Sequence, residues 1–182
     1  MKWLTQDPRP HQTALAMIGA KPGQQVLVLG ARDGRLAAAI AGVTGLNGLT
    51  LVIDPAAESQ ARVEAAAADA GVLVEFAQEP FVALSSEDNV FDLAVVNQTL
   101  GLPGIDRAGL AQQAARVIRP GGRVIAVEGE AIPGWRGLVQ RPPPPAISGD
   151  AARELLAAAG LRAARVLSQT GGVTYIEAAK PR

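Results

Sequence analysis

The stretch VLVLGARDGRLA, residues 26–37, sets Gly30 and Gly34 four positions apart, between an apolar run and a run of helix formers. A helix that begins at such a turn aims free backbone N–H groups and the positive end of its dipole at whatever lies above the strand. Small residues such as Ala31 let a ligand approach the backbone there. Asp54 closes the run LTLVID (49–54), twenty positions beyond Gly34, and Pro55 follows it. A carboxylate at that place can accept hydrogen bonds from ribose hydroxyls. It can equally cap the next helix, with Pro55 at the first helical position. Arg32 stands where many such loops carry a further glycine. If that position needs positive φ, arginine costs on the order of 1–3 kcal/mol. Its guanidinium either meets an anionic group of a ligand or fills the place the ligand would take. His11 is the sole histidine, a candidate base or a surface residue. Glu128 and Glu130 stand at the end of the expected fifth strand, RVIAVEG and the residue after it, as ligand-edge acids or as solvated turn carboxylates. Tyr175 reads as packing.

These residues need a scaffold, and the chain alternates as one. A short leading helix is expected over 10–20, a strand over 26–30, a helix over 34–43 and a strand over 49–54. A helix over 58–71 ends at a glycine, and strands follow over 72–77 and 91–97. The run 107–122 reads as a helix stopped by Pro120 and two glycines, 123–129 as a strand, and 148–160 as a helix with Ser148 or Asp150 at its cap. Residues 161–180 read as two strands around Thr170-Gly171-Gly172. Apolar strands alternating with helices imply a parallel sheet covered on both faces. A hairpin cannot join parallel strands, so the last strand must run antiparallel. The irregular stretch 130–149, with four consecutive prolines, cannot continue a helix or a central strand. It is either a stiff spacer or a wall of the substrate pocket bearing Trp135 and Arg136. The whole of 1–182 reads as one α/β domain, with 1–22 as a helical N-terminal segment.

Composition removes several classes of function. With no cysteine and one histidine, disulfides, thiolate sites, cysteine nucleophiles and multi-histidine metal sites are out. Seventeen basic residues balance 17 acidic ones without a basic block, and only 3% of residues are aromatic, so nucleic acid is not the expected partner. No run is long and uncharged enough for a membrane span and the N-terminus has no signal-type stretch, which gives a cytoplasmic, non-inserted protein as the expectation. A homodimer is the candidate assembly.

The succession GARDG, LVIDP, FDLAVVNQTLG, VIRPGGRVIAVE and a final hairpin resembles the class I S-adenosylmethionine-dependent methyltransferases, closest to the small-molecule group of the ubiquinone/menaquinone type. The likeness runs from about Lys21 to Lys180, and ARVIRPGGRVIAVE is its most specific piece. It implies a Rossmann-like sheet of seven strands with the last antiparallel, S-adenosylmethionine as cofactor and a small-molecule acceptor. It further implies that Gly30 and Gly34 support the methionine part of the cofactor, that Asp54 takes the ribose, and that Asn97 and Gln98 face cofactor and substrate. The family's acidic residue in the first strand is Val28 here, its middle loop glycine is Arg32, and its adenine-side acid falls on Pro80, with Glu79 adjacent. Methyl transfer is an in-line displacement, and a base is needed only where the nucleophile must lose a proton. His11 and Glu128 are the candidates. A non-catalytic relative serving as a binding or assembly subunit is the alternative. A dinucleotide oxidoreductase ranks third, since arginines stand at 32 and 35 and no tyrosine–lysine pair is evident.

Overall fold

The computed structural model describes residues 11–129 and 146–182. Trp135, Arg136, Glu130 and most of the 130–149 stretch lie outside the described residues, as do residues 1–10 of the N-terminal segment. The elements run α1 (Gln12–Ile18), β1 (Gln25–Leu29), α2 (Arg35–Thr44), β2 (Leu49–Ile53), α3 (Ser59–Ala70), β3 (Glu75–Ala77), β4 (Phe91–Asn97), α4 (Arg107–Val117), β5 (Ile118–Glu128), α5 (Gly149–Ala158), β6 (Arg162–Thr170) and β7 (Val173–Ala179). The strands form one seven-stranded sheet in the order β3-β2-β1-β4-β5-β7-β6. β7 lies between β5 and β6 and is antiparallel to both, as the Gly171-Gly172 hairpin requires.

The alternation inside β1 explains the two layers. Val26 and Val28 face Ile18 of α1, Leu36 and Ile40 of α2 and Val63 of α3, whereas Leu27 and Leu29 face Leu110 of α4 and Leu156 of α5. These four residues of β1 are fully buried, which is why the strand reads as a continuous apolar run rather than an alternating one. Val28 is therefore a core residue, packed where the resemblance would put an acid.

Two boundaries differ from the sequence expectation. α4 ends at Val117 rather than running to the glycines, because Pro120 blocks a helix and restricts the residue before it. Ile118 instead pairs with Phe91, and the register then jumps to Leu93 opposite Arg123, with residues 119–122 looped out. β3 is three residues long instead of six, since as the edge strand it pairs with β2 alone, over Leu51, Val52 and Ile53.

Two cations fasten the end of the molecule away from the strand C-termini. Arg123 on β5 donates to Glu177 Oε1 at 2.8 Å and to the carbonyls of Ile18 and Gly19 at 3.2 and 3.0 Å, tying the C-terminus of α1 to the sheet. Lys180 Nζ donates to the carbonyl oxygens of Ala115, Arg116 and Ile118 at 2.8–3.0 Å and to Asn89 Oδ1 at 2.8 Å. It adds a donor at the carboxyl end of α4, where the Arg116 and Val117 carbonyls also accept the N–H groups of Asn89 and Val90, and its charge complements the dipole end. Lys180→Met keeps the stem and deletes the ammonium. The variant is expected to lose about 1–3 kcal/mol, read as a lower urea midpoint at unchanged m-value; an unchanged midpoint would show that water replaces the ammonium without penalty.

Candidate active site

The turn after β1 is held from three sides. Gly30 N donates to the Ile53 carbonyl at 3.0 Å, Asn97 Nδ2 donates to the Gly30 carbonyl at 3.1 Å, and Thr99 Oγ1 donates to the Leu29 carbonyl at 2.8 Å. From β2, Asp54 Oδ2 accepts the Ala31 N–H at 2.8 Å while Oδ1 accepts the Ala56 N–H at 2.9 Å. Asp54 thus joins two loops and does not cap the next helix: α3 begins at Ser59 with Glu58 as its N-cap, so Pro55 is not its first residue and the bond to Ala56 closes a local turn ahead of it. Each carboxylate oxygen accepts one N–H and retains a second acceptor position.

The two glycines have steric duties. A Cβ on Gly30 would lie 2.5 Å from Thr99 Oγ1 and 2.7 Å from the Asn97 carbonyl oxygen; one on Gly34 would lie 2.8 Å from Val63 Cα of α3. Their φ values are +102° and +77°. In this structure the turn is tight because strand and helix backbones crowd it. Arg32 takes φ +52°, the left-handed region. The loop keeps its path without a third glycine, at the modest strain a single such residue carries.

Above the carboxyl ends of the parallel strands lies a cavity of about 880 Å³, in the place where open α/β sheets bind ligands. Gly30, Arg32, Asp54, Pro55 and Asn97 line it, as do Gln98 and His11. Ala31 and Gly34 shape the turn but are not part of the lining, and neither are Glu79, Pro80 or Glu128. Glu79 accepts the backbone N–H of Ser85 at 2.9 Å and the Ser85 hydroxyl, closing its own loop; Phe81, one position past Pro80, is the residue of that loop that reaches the cavity. Asn97 lines the wall while its side-chain N–H is engaged with Gly30. Thr99 and Val173 near strand ends, Ser59 and Arg62 in the first turn of α3, and Tyr175, which the sequence suggested only as packing, also line it.

His11 sits half-buried where α1 begins, at the cavity, between the opposing influences of Asp33 and Arg35. Burial is the largest influence and holds its imidazole below the usual range, so it is neutral at pH 7. Tyr175, 5% exposed, has its phenol pushed up by burial and stays protonated. Glu128, 2% exposed, is pushed up to about 7 by burial against the opposing pull of backbone N–H groups and Arg107.

A family model described as a methyltransferase domain matches residues 26–122, more than half of the chain. The chain belongs to that family. No curated protein matches it. Among solved structures, a SAM-dependent methyltransferase from Aquifex aeolicus superposes with a TM-score of 0.77 at 20% identity, over 93% of this chain and 88% of that one. A SAM-dependent methyltransferase from Methanosarcina mazei gives 0.66 at 20% identity, over 93% and 97%. The [4+2]-cyclase SpnF gives 0.72 at 18% identity, over 93% and 78%. Identities this low speak to the fold, and the fold is the Rossmann-like methyltransferase one. Membership of the methyltransferase family makes S-adenosylmethionine the chain's cofactor. Its residues fit that cofactor: the cavity is large enough for a nucleoside with an amino-acid arm, and a carboxylate with free acceptor positions lines it at the end of β2. Among the described residues no helix is long and apolar enough to cross a membrane.

Proposed function

We propose that this methyltransferase modifies a small, largely apolar acceptor, of the quinone type that the sequence resembles, and that Asp54 holds the cofactor by its ribose hydroxyls. The supporting observation is the division of the cavity. Its β2–α3 side carries Asp54, Ser59 and Arg62, polar groups suited to a nucleoside. Toward α1, β5 and β7 the lining includes Ala14, Leu36, Leu102, Val127 and Val173, with His11, Gln98, Thr99 and the Tyr175 phenol as polar points and Arg32 and Asp33 at the turn. A hydroxylated ring or an enolised carbon acid suits that wall better than a charged polymer does.

When bound, S-adenosylmethionine supplies an electrophilic sulfonium methyl. The chain's own task is to orient the acceptor in line with that methyl and to exclude water. Asn97 and Thr99 fix the floor by holding the β1 turn. His11, neutral at pH 7 and lining the apolar side of the cavity, is placed to take a proton from the acceptor.

Titration calorimetry with S-adenosylmethionine and S-adenosylhomocysteine is the test of the cofactor, and radiolabelled methyl transfer to demethylated quinols, to tRNA and to protein is the test of the acceptor. One site per chain for both cofactor forms, with label entering the quinol, is expected. Label entering only tRNA or protein would overturn the small-molecule reading.

A further inference from the structure

Among the described residues Glu128 is the one carboxylate at the strand C-termini that is buried without lining the cavity. Its Oε1 accepts the Leu100 N–H at 3.0 Å. Arg107, at the start of α4, donates from Nε to the carbonyl of the same Leu100 at 2.7 Å. Leu100 is thus gripped at both its N–H and its carbonyl. Around it, Gln98 N bonds the Val127 carbonyl at 2.7 Å and Leu102 N the Thr99 carbonyl at 3.2 Å. A Cβ on Gly101 would stand 3.3 Å from Glu128 Oε2 and 3.0 Å from Ala146 Cβ, so the loop has no slack toward either.

Gln98, Thr99 and Leu102 belong to this loop and line the cavity. A carboxylate behind the wall that fixes Leu100 therefore fixes the wall.

We infer that Glu128 is a positioning residue: from behind the loop 98–102 it sets the wall against which cofactor and acceptor are held, and its ionisation couples that wall to pH. The role rests on the methyltransferase reading of the cavity but not on the identity of the acceptor. The ionised carboxylate is a stronger acceptor for Leu100 N–H than the neutral acid. Among the described residues Arg107 is the charged group acting on it; its strand partner across the sheet is Thr174. Burial outweighs Arg107 and the backbone donors, which brings its titration to about 7. Glu128 titrates as a unit with the loop it holds, so acidification loosens the wall within the neutral range.

The experiment pairs the Leu100 amide with ligand affinity, on the whole chain, from pH 5.5 to 8.5. In the wild type the Leu100 amide resonance is expected to titrate near pH 7, and S-adenosylhomocysteine is expected to bind about fivefold more weakly at pH 6 than at pH 8. Glu128→Gln keeps a carbonyl acceptor but cannot ionise: the Leu100 titration should vanish and the affinity ratio between the two pH values should shrink to the part due to His11. Glu128→Ala should bind at least tenfold more weakly at pH 8 and speed hydrogen exchange at Leu100, with the glutamine variant between it and the wild type. A Leu100 amide that titrates equally in the wild type and Glu128→Gln overturns the inference, and so does wild-type affinity in Glu128→Gln with an unchanged pH profile. Should the alanine variant not fold, the glutamine comparison decides alone. Absence of S-adenosylhomocysteine binding by the wild type would sink the cofactor reading, while the Leu100 titration would still decide whether Glu128 holds the loop.

Discussion

Asp54→Ala is expected to weaken S-adenosylhomocysteine binding at least tenfold, about 1.4 kcal/mol, and to destabilise the fold at the same time. Both effects come from the same two oxygens. Oδ2 and Oδ1 accept the N–H groups of Ala31 and Ala56 at 2.8 and 2.9 Å, and removing the carboxylate leaves both donors without a partner. Each such loss costs about 1–3 kcal/mol, nearer the lower figure here because Asp54 is half-exposed at a cavity and water can enter. The β1 turn then loses its tie to β2, and with it the ribose acceptor. Asp54→Asn separates the contributions. Its one carbonyl oxygen can satisfy Ala31 or Ala56 but not both, because the amide NH2 presents a donor to the other N–H. It should fall between wild type and Asp54→Ala in denaturation midpoint yet lie close to the alanine variant in affinity, since two ribose hydroxyls need two acceptors. An asparagine variant with wild-type affinity would remove Asp54 from the binding role and leave it as a loop tie. Calorimetry and urea unfolding on the three proteins give the answer.

The ambiguity written into Asp54 by its sequence position was real. Position alone says that a carboxylate ends β2; it does not say which donors surround it. The structure supplies them, and one comes from a loop 23 residues away in sequence. Arg32 is similar. Its side-chain chemistry drew attention in the sequence, whereas the structural fact is its backbone, which adopts the left-handed region despite carrying a side chain.

Layer order and the antiparallel last strand were legible because they follow from patterns of period and length: continuous apolar runs, intervening helices, and a glycine pair too short for a crossover. Element edges were not. The C-terminal limit of α4 depends on Ile118 finding Phe91 across the sheet, a contact between segments 27 residues apart. The extent of β3 depends on having a neighbour on one side only. Wall residues such as Phe81, Thr99 and Val173 share a cavity because strand order brings their loops together. Nothing in any one of those segments announces it. Glu128 was visible as an acid at the ligand edge, but its burial and its grip on Leu100 belong to the fold of a different loop.

Gly30→Ala should be the most destabilising single-methyl change in the turn, at about 3–5 kcal/mol when the strain of φ +102° is added to overpacking. The added Cβ would meet Thr99 Oγ1 at 2.5 Å and the Asn97 carbonyl oxygen at 2.7 Å. Neither neighbour retreats cheaply. Thr99 is fully buried with its hydroxyl donating to the Leu29 carbonyl at 2.8 Å and lying 3.1 Å from the Asn97 carbonyl, and the Asn97 oxygen is backbone of a central strand. Gly23 supplies the control: its φ is +79° but a Cβ there would find nothing within 4 Å. Gly23→Ala should therefore show the conformational cost alone, about 1 kcal/mol, and the difference between the two variants is the cost of crowding. Adding Thr99→Ala to Gly30→Ala removes one clash and leaves the other, so the double variant should recover part of the loss, a coupling within the 0.5–3 kcal/mol seen for touching residues. Urea unfolding of the wild type, Gly23→Ala, Gly30→Ala, Thr99→Ala and the double variant decides. If Gly30→Ala is no worse than Gly23→Ala, the turn is not crowded as described. If its stability holds while S-adenosylhomocysteine binding falls, the glycine is there for the ligand and not for the strand beside it.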